Sequence, residues 1–143
     1  MSLIPLQHRS GAATAFGALV VCEAIVFLVA ATLHTGAFTV PQLIPAMIVE
    51  GLCGIGCVIC AYVVLTRKAS ALTTAIVVQV VALAGVLLGV VALTRSPGLR
   101  TPTNVTLHAM MLVLIVLALS LLAIPGMRAA LSNDLTSRVG KQE

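Results

Sequence analysis

The sequence predicts an all-α integral membrane protein, a four-helix antiparallel transmembrane bundle with both termini in the cytoplasm. Three observations lead there. Of 143 residues, 60% are apolar and 8% are charged, about a third of the charge of an ordinary globular chain. The apolar residues fall into four long runs separated by short polar connections. Lys and Arg are distributed unevenly among those connections. A soluble globule of this size has to show water a polar surface, which eight Lys plus Arg and four Asp plus Glu cannot cover. Disorder, collagen and coiled coil are excluded by so much Val, Leu, Ile and Ala with so little charge.

A spanning helix needs roughly 20 mostly apolar residues, since the hydrocarbon is about 30 Å thick and a helix rises about 1.5 Å per residue. The expected spans are about 12–34, 41–66, 69–94 and 103–124. They are continuously apolar rather than alternating, which favours helix over barrel strand. Glu23 interrupts the first run, and Val21 stands where a lipoprotein processing site wants a small residue, so this run is read as a retained helix and not a cleaved leader. Thr35, Gly36, Thr39, Pro41 and Pro45 break the chain after the first span, Pro45 suiting the first turn of the second helix. Arg67, Lys68 and Ser70 form a tight second turn. Residues 95–102 carry two prolines and a glycine, and Thr101 or Thr103 can cap the last helix. Pro125 and Gly126 end it. The remainder, 127–143, is a polar cytoplasmic tail; Met127, Leu131 and Leu135 have the spacing of a short interfacial helix, but a frayed end is the favoured reading.

Orientation follows from the positive residues. One side receives Arg9, Arg67, Lys68, Arg128, Arg138 and Lys141 and the other Arg95 and Arg100, six against two. This places both termini inside and makes the protein a multi-pass component of the plasma (inner) membrane. The net charge of +4 is accounted for by this topology and by anionic lipid head groups. Nucleic acid is not an expected partner, because the basic residues are scattered with no aromatic residues among them.

Chemistry is concentrated in a few polar side chains at bilayer depth. Glu23 and Glu50 are two of the four acids in the chain and both lie inside spans. An ionisable group there costs at least about 2.5 kcal/mol on insertion scales, so it is normally turned into the bundle and partnered. The competing structural reading is a neutral Glu that hydrogen-bonds between helices and sets their register. His34 follows Glu23 by three helical turns, placing both on one face with Phe16, Phe27 and Ala30. On the second helix Ala46, Glu50, Gly54, Cys57 and Ala61 share a stripe bordered by Cys53 and Cys60. His108 aligns with Ile115 and Leu119 on the fourth, and Gln79 is the strongly polar residue near the centre of the third. With the termini inside, Glu50 and His108 both lie roughly 7–13 Å below the outer surface. His34 lies nearer that surface, while Glu23 and Gln79 lie near the midplane. His8 is a solvent-exposed residue of the N-terminal segment.

These positions nominate Glu23, Glu50, His108, His34 and Gln79 as a ligand-binding set. They would line a pocket that opens outward and takes a cation, a proton or a small polar ligand, with transport as one use. Glu50, His108, Glu23 and His34 are also the right types for a divalent metal, although neither glutamate has a histidine three residues later as carboxylate-bridged bundle sites require. Haem held by His34 and His108 is a weaker variant, given their different depths. The cysteines and the glycines at 51, 54, 56, 85 and 89 are read as small packing residues, the 85/89 pair also suiting dimerisation. A homo-oligomer, or an accessory role in a larger membrane complex, is the alternative to a ligand pocket. With short loops and no recognisable catalytic motif, enzyme activity is the minority reading.

In layout the chain resembles small four-helix multidrug transporters, which also carry a glutamate in the first helix. It departs from them in length, in its second intramembrane glutamate and in its scarcity of aromatic residues, and their function is not carried over.

Overall fold

The computed structural model describes residues 5–36 and 42–132. Pro41, Leu135 and the rest of the chain beyond Ser132 lie outside this range. Every regular element within it is helical: α1 Pro5–Leu33, α2 Ile44–Leu65, α3 Ala71–Arg95, α4 Pro102–Ala123 and α5 Pro125–Leu131, with a short 3₁₀ turn at Pro97–Leu99. Four of these helices contain apolar stretches long enough to cross a membrane, Gly11–Leu33, Ile44–Leu65, Ala71–Arg95 and Pro102–Ala123. The protein is therefore a multi-pass membrane protein with four spanning helices. Their bounds follow the sequence reading to within a few residues. The exception is α1, which begins at Pro5, because extending an existing helix through polar residues costs little once it is nucleated.

The breaks are built as their residues dictate. Pro45 lies in the first turn of α2, where the missing amide hydrogen is no loss. Gly36, at φ 80°, turns the chain after α1, and the Leu43 amide then donates to the His34 carbonyl at 3.0 Å. Arg67 adopts φ 53° in the α2–α3 turn, and the amides of Arg67 and Lys68 close that turn on the carbonyls of Val64 and Val63. Thr101 caps α4, its hydroxyl accepting from the Asn104 amide at 3.2 Å, with Pro102 immediately after it. Arg100 reaches back to donate to the carbonyls of Leu93 and Thr94 at the end of α3.

Around the bundle α1 packs on α2, α2 on α3, α3 on α4, and α4 back on α1. The inward stripes are those with small or polar residues at helical spacing: Phe16, Val20, Glu23, Phe27 and Ala30 on α1, and Cys53, Cys57, Cys60, Ala61 and Val64 on α2. Large aliphatic side chains such as Leu52, Leu88 and Val113 point outward. That inversion of the soluble pattern is expected where the surroundings are as apolar as the core and close packing, not expulsion of water, holds helices together. Gly54 lets α1 approach α2, since a Cβ there would meet Leu28 at 2.8 Å and Phe27 at 3.3 Å.

One expectation is corrected. The segment after Pro125 is not a frayed end over its first turns but the helix α5, with Met127 and Leu131 buried against the bundle. Pro125 starts it, and the four-residue spacing of its two apolar side chains gives it a packing face.

Gly54→Leu is expected to pry α1 from α2 and to destabilise the bundle by about 1–3 kcal/mol, the usual cost of overpacking. Thermal unfolding in detergent micelles should show a lowered Tm, whereas Leu52→Ala on the outward face should leave it nearly unchanged.

Candidate functional site

All five nominated residues are buried: Glu23, His34, Glu50, Gln79 and His108. The structure sorts them into two separate groups along the bundle axis. Glu50 lies six residues into α2 and His108 six residues into α4, which puts both about 9 Å from the helix ends and near one level. His34, just past the end of α1, joins them from above. Glu23 and Gln79 form the second group, nearer the centre.

The upper group is a chain of hydrogen bonds whose protons can be assigned. Asn104 Nδ2 donates to the Leu99 carbonyl at 2.9 Å. This fixes the amide, because the flipped orientation would set oxygen against oxygen. Asn104 Oδ1 therefore faces His34 Nε2, at 3.2 Å. Oδ1 only accepts, so Nε2 carries a hydrogen. On the other side of the ring, His34 Nδ1 and Glu50 Oε2 lie 2.6 Å apart. One further proton has to lie between them, either as imidazolium with carboxylate or as neutral imidazole with carboxylic acid. In both cases the pair carries no net charge, which is what an apolar medium demands. His108 Nδ1 donates to the Asn104 main-chain carbonyl at 2.9 Å. Asn104 thus holds both histidines, one through its side chain and one through its backbone.

Two acceptors in this group are left over. Glu50 Oε1 is buried and makes no hydrogen bond. His108 Nε2, the nitrogen not engaged with Asn104, projects toward Gly89, where a Cβ would collide with the imidazole ring. Both residues border a cavity of about 180 Å³ lined from all four spanning helices, among others by Phe27 on α1, Val86 and Leu88 on α3 and Met111 on α4. Gly85 and Gly89 belong to its lining as well. Here the pair faces Cys53, Val49 and His108 within the bundle; its small size makes room for an imidazole and a cavity.

In the lower group Gln79 Nε2 donates to Glu23 Oε2 at 2.5 Å, and Cys57 Sγ lies 3.9 Å from the same oxygen. Glu23 Oε1 and Gln79 Oε1 are buried without partners. This acid–amide clasp ties α1 to α3 across the bundle.

Glu50 and His108, expected at one level, line the same cavity, and Glu23 and Gln79, expected near the midplane, bond to each other. The nominated metal set does not come together. Among the described residues no three His, Cys, Asp or Glu side chains are placed to hold a metal ion; Glu23 bonds to Gln79, and the two histidines turn Nδ1 to different partners, Glu50 and the Asn104 carbonyl. Haem between His34 and His108 does not fit either, since both nitrogens of His34 are already engaged with Glu50 and Asn104. Asn104, buried at 2% exposure, is the residue the sequence reading missed. Its signal was a strongly polar side chain one helical turn before His108.

No protein-family model, curated protein or solved structure matches the chain. The reading of this site rests on its own geometry.

The proton assignment can be observed directly. In protein labelled with ¹⁵N at histidine, His34 Nε2 and His108 Nδ1 should give protonated-nitrogen signals and His108 Nε2 the signal of an unprotonated ring nitrogen. In the lower group, Gln79→Leu strips Glu23 of its principal donor and should cost about 1–3 kcal/mol. Glu23→Gln should hold or raise Tm in the same unfolding assay, because an amide there can donate to Gln79 Oε1 while still accepting from Gln79 Nε2.

Proposed function

We propose that this is a ligand-binding protein of the plasma (inner) membrane, with both termini cytoplasmic and its cavity in the outer half of the bilayer. The ligand is a small molecule that brings a hydrogen-bond donor to Glu50, with His108 as a second acceptor and His34 and Asn104 as the residues that position them. The observation that carries this reading is Glu50, which lines an apolar cavity and has one buried carboxyl oxygen, Oε1, without a partner. A buried acceptor left unsatisfied costs about 1–3 kcal/mol, and a ligand donor would recover it. The Glu23–Gln79 clasp, by contrast, borders no part of that cavity and is assigned to holding helix register.

The six-to-two distribution of Lys and Arg supports the orientation. Single cysteines placed at Lys68 and at Gly98 in a variant lacking Cys22 test it. In sealed right-side-out vesicles a membrane-impermeant maleimide should label position 98 and spare position 68; the reverse pattern overturns the topology.

Ligand binding is tested by thermal unfolding of the purified protein with a panel of n-butanol, n-butylammonium and 4-butylphenol. At least one should raise Tm saturably, a ligand at a hundredfold excess over its Kd adding about 2.7 kcal/mol. Glu50→Leu, which removes the acceptor, should abolish that rise. An equal rise in the variant overturns the assignment of Glu50.

A further inference from the structure

The cavity has a roof and a side opening, and the two together restrict what can enter. His34 and Asn104 are 1% and 2% exposed and bond to each other on the loop side of Glu50, joining the ends of α1 and α4. The Leu43 amide donates to the His34 carbonyl just beyond. On the α1–α4 side the route from the loops to Glu50 is thus covered by a hydrogen-bonded pair. On the flank between α2 and α3 the cavity wall is exposed: Pro45 and Val49 on one helix, Leu88 and Ala92 on the other, with Leu88 at 68%. In a spanning bundle Val49 and Leu88 lie deep enough to face lipid tails, whereas Pro45, in the first turn of α2, lies at its end. Gly85 and Gly89 sit between these flanks and put no side chain in the gap.

Charge decides the head group. The Glu50–His34 pair is already neutral, because one proton is shared across it. A cation entering this cavity would find no uncompensated counterion, and an unpaired ion in an apolar site is far costlier than a neutral donor. Both free polar atoms, Glu50 Oε1 and His108 Nε2, are acceptors. Their depth, about 9 Å below the helix ends, is out of reach for a phosphate or ammonium head anchored at the interface.

We propose that the ligand is a neutral, membrane-dissolved molecule with a hydroxyl on an apolar body, entering sideways between α2 and α3 and donating its O–H to Glu50 Oε1 beside His108 Nε2. This rests on the ligand-pocket reading above and names the substrate class of that site.

The test uses protein reconstituted in phosphatidylcholine vesicles and three probes: 4-butylphenol, its methyl ether 4-butylanisole, and n-butylammonium. The phenol should bind saturably and shift the ¹⁵N signal of His108 Nε2, while the ether, equal in shape but without a donor, and the ammonium ion should do neither. Glu50→Gln keeps an acceptor oxygen and should retain phenol binding; Glu50→Leu should weaken it by about tenfold or more. Leu88→Trp, which places a larger side chain at the exposed gap between α2 and α3, should slow phenol association. Binding of the ether as tightly as the phenol overturns the hydroxyl assignment, and unchanged association in Leu88→Trp overturns the side entry. Glu50-dependent binding of n-butylammonium with no phenol binding would overturn the substrate class while leaving the ligand pocket standing. If no probe binds and His108 Nε2 is unmoved, both readings fall.

Discussion

A polar side chain surrounded by hydrocarbon has to find its partner on another helix, and the arrangement of this bundle follows from that requirement. Helix association here gains little from burying apolar surface, since the lipid is as apolar as the core. Interhelical hydrogen bonds and close contact at small residues therefore decide which faces meet. His34 is the central case: a single imidazole joins the end of α1 to Glu50 of α2 and Asn104 of α4. Gln79 does the same for α3 by reaching Glu23 on α1. Each of the four spanning helices is held to another by at least one such bond.

The same requirement gives the unsatisfied atoms their meaning. Where two groups complete one another, as in His34 with Asn104, nothing is left for a ligand to do. Glu50 is different, because one of its oxygens is spent on His34 while the other has no partner, and the residue lines a cavity. Glycine at positions 85 and 89 contributes by absence: a methyl group at Gly89 would occupy the space of the His108 ring. Packing and chemistry thus meet in one place, where α3 withholds side chains, α2 supplies a carboxyl group and α4 an imidazole.

Much of this was legible in the residues themselves. Four apolar runs of spanning length, the prolines and glycines between them, and the burial of Glu23, Glu50, His34, Gln79 and His108 all follow from the cost of exposing polar groups to lipid and the length needed to cross it. Helical arithmetic also puts Glu50 and His108 equally far from their helix ends, and the two residues line one cavity. The small-residue faces at Gly54, Gly85 and Gly89 were recognisable, since close approach needs them whatever the partner.

What one chain of letters could not specify was rotation and pairing. Periodicity says which residues share a face, but not which face of the neighbouring helix it meets, so five polar residues were nominated as one ligand-binding set. Tertiary structure divided them into an upper network and a lower clasp, because Gln79 turns toward Glu23 while Glu50 turns toward His34. It also brought in Asn104, whose role depends on Leu99 fixing the direction of its amide, a contact made by the loop and invisible to any helical repeat. The sequence by itself determined how many helices are long and apolar enough to cross and how far each polar group lies from its helix end, since both depend on distances along one helix. Only the folded bundle decided which of those groups satisfy each other, since that depends on the azimuth of four helices at once.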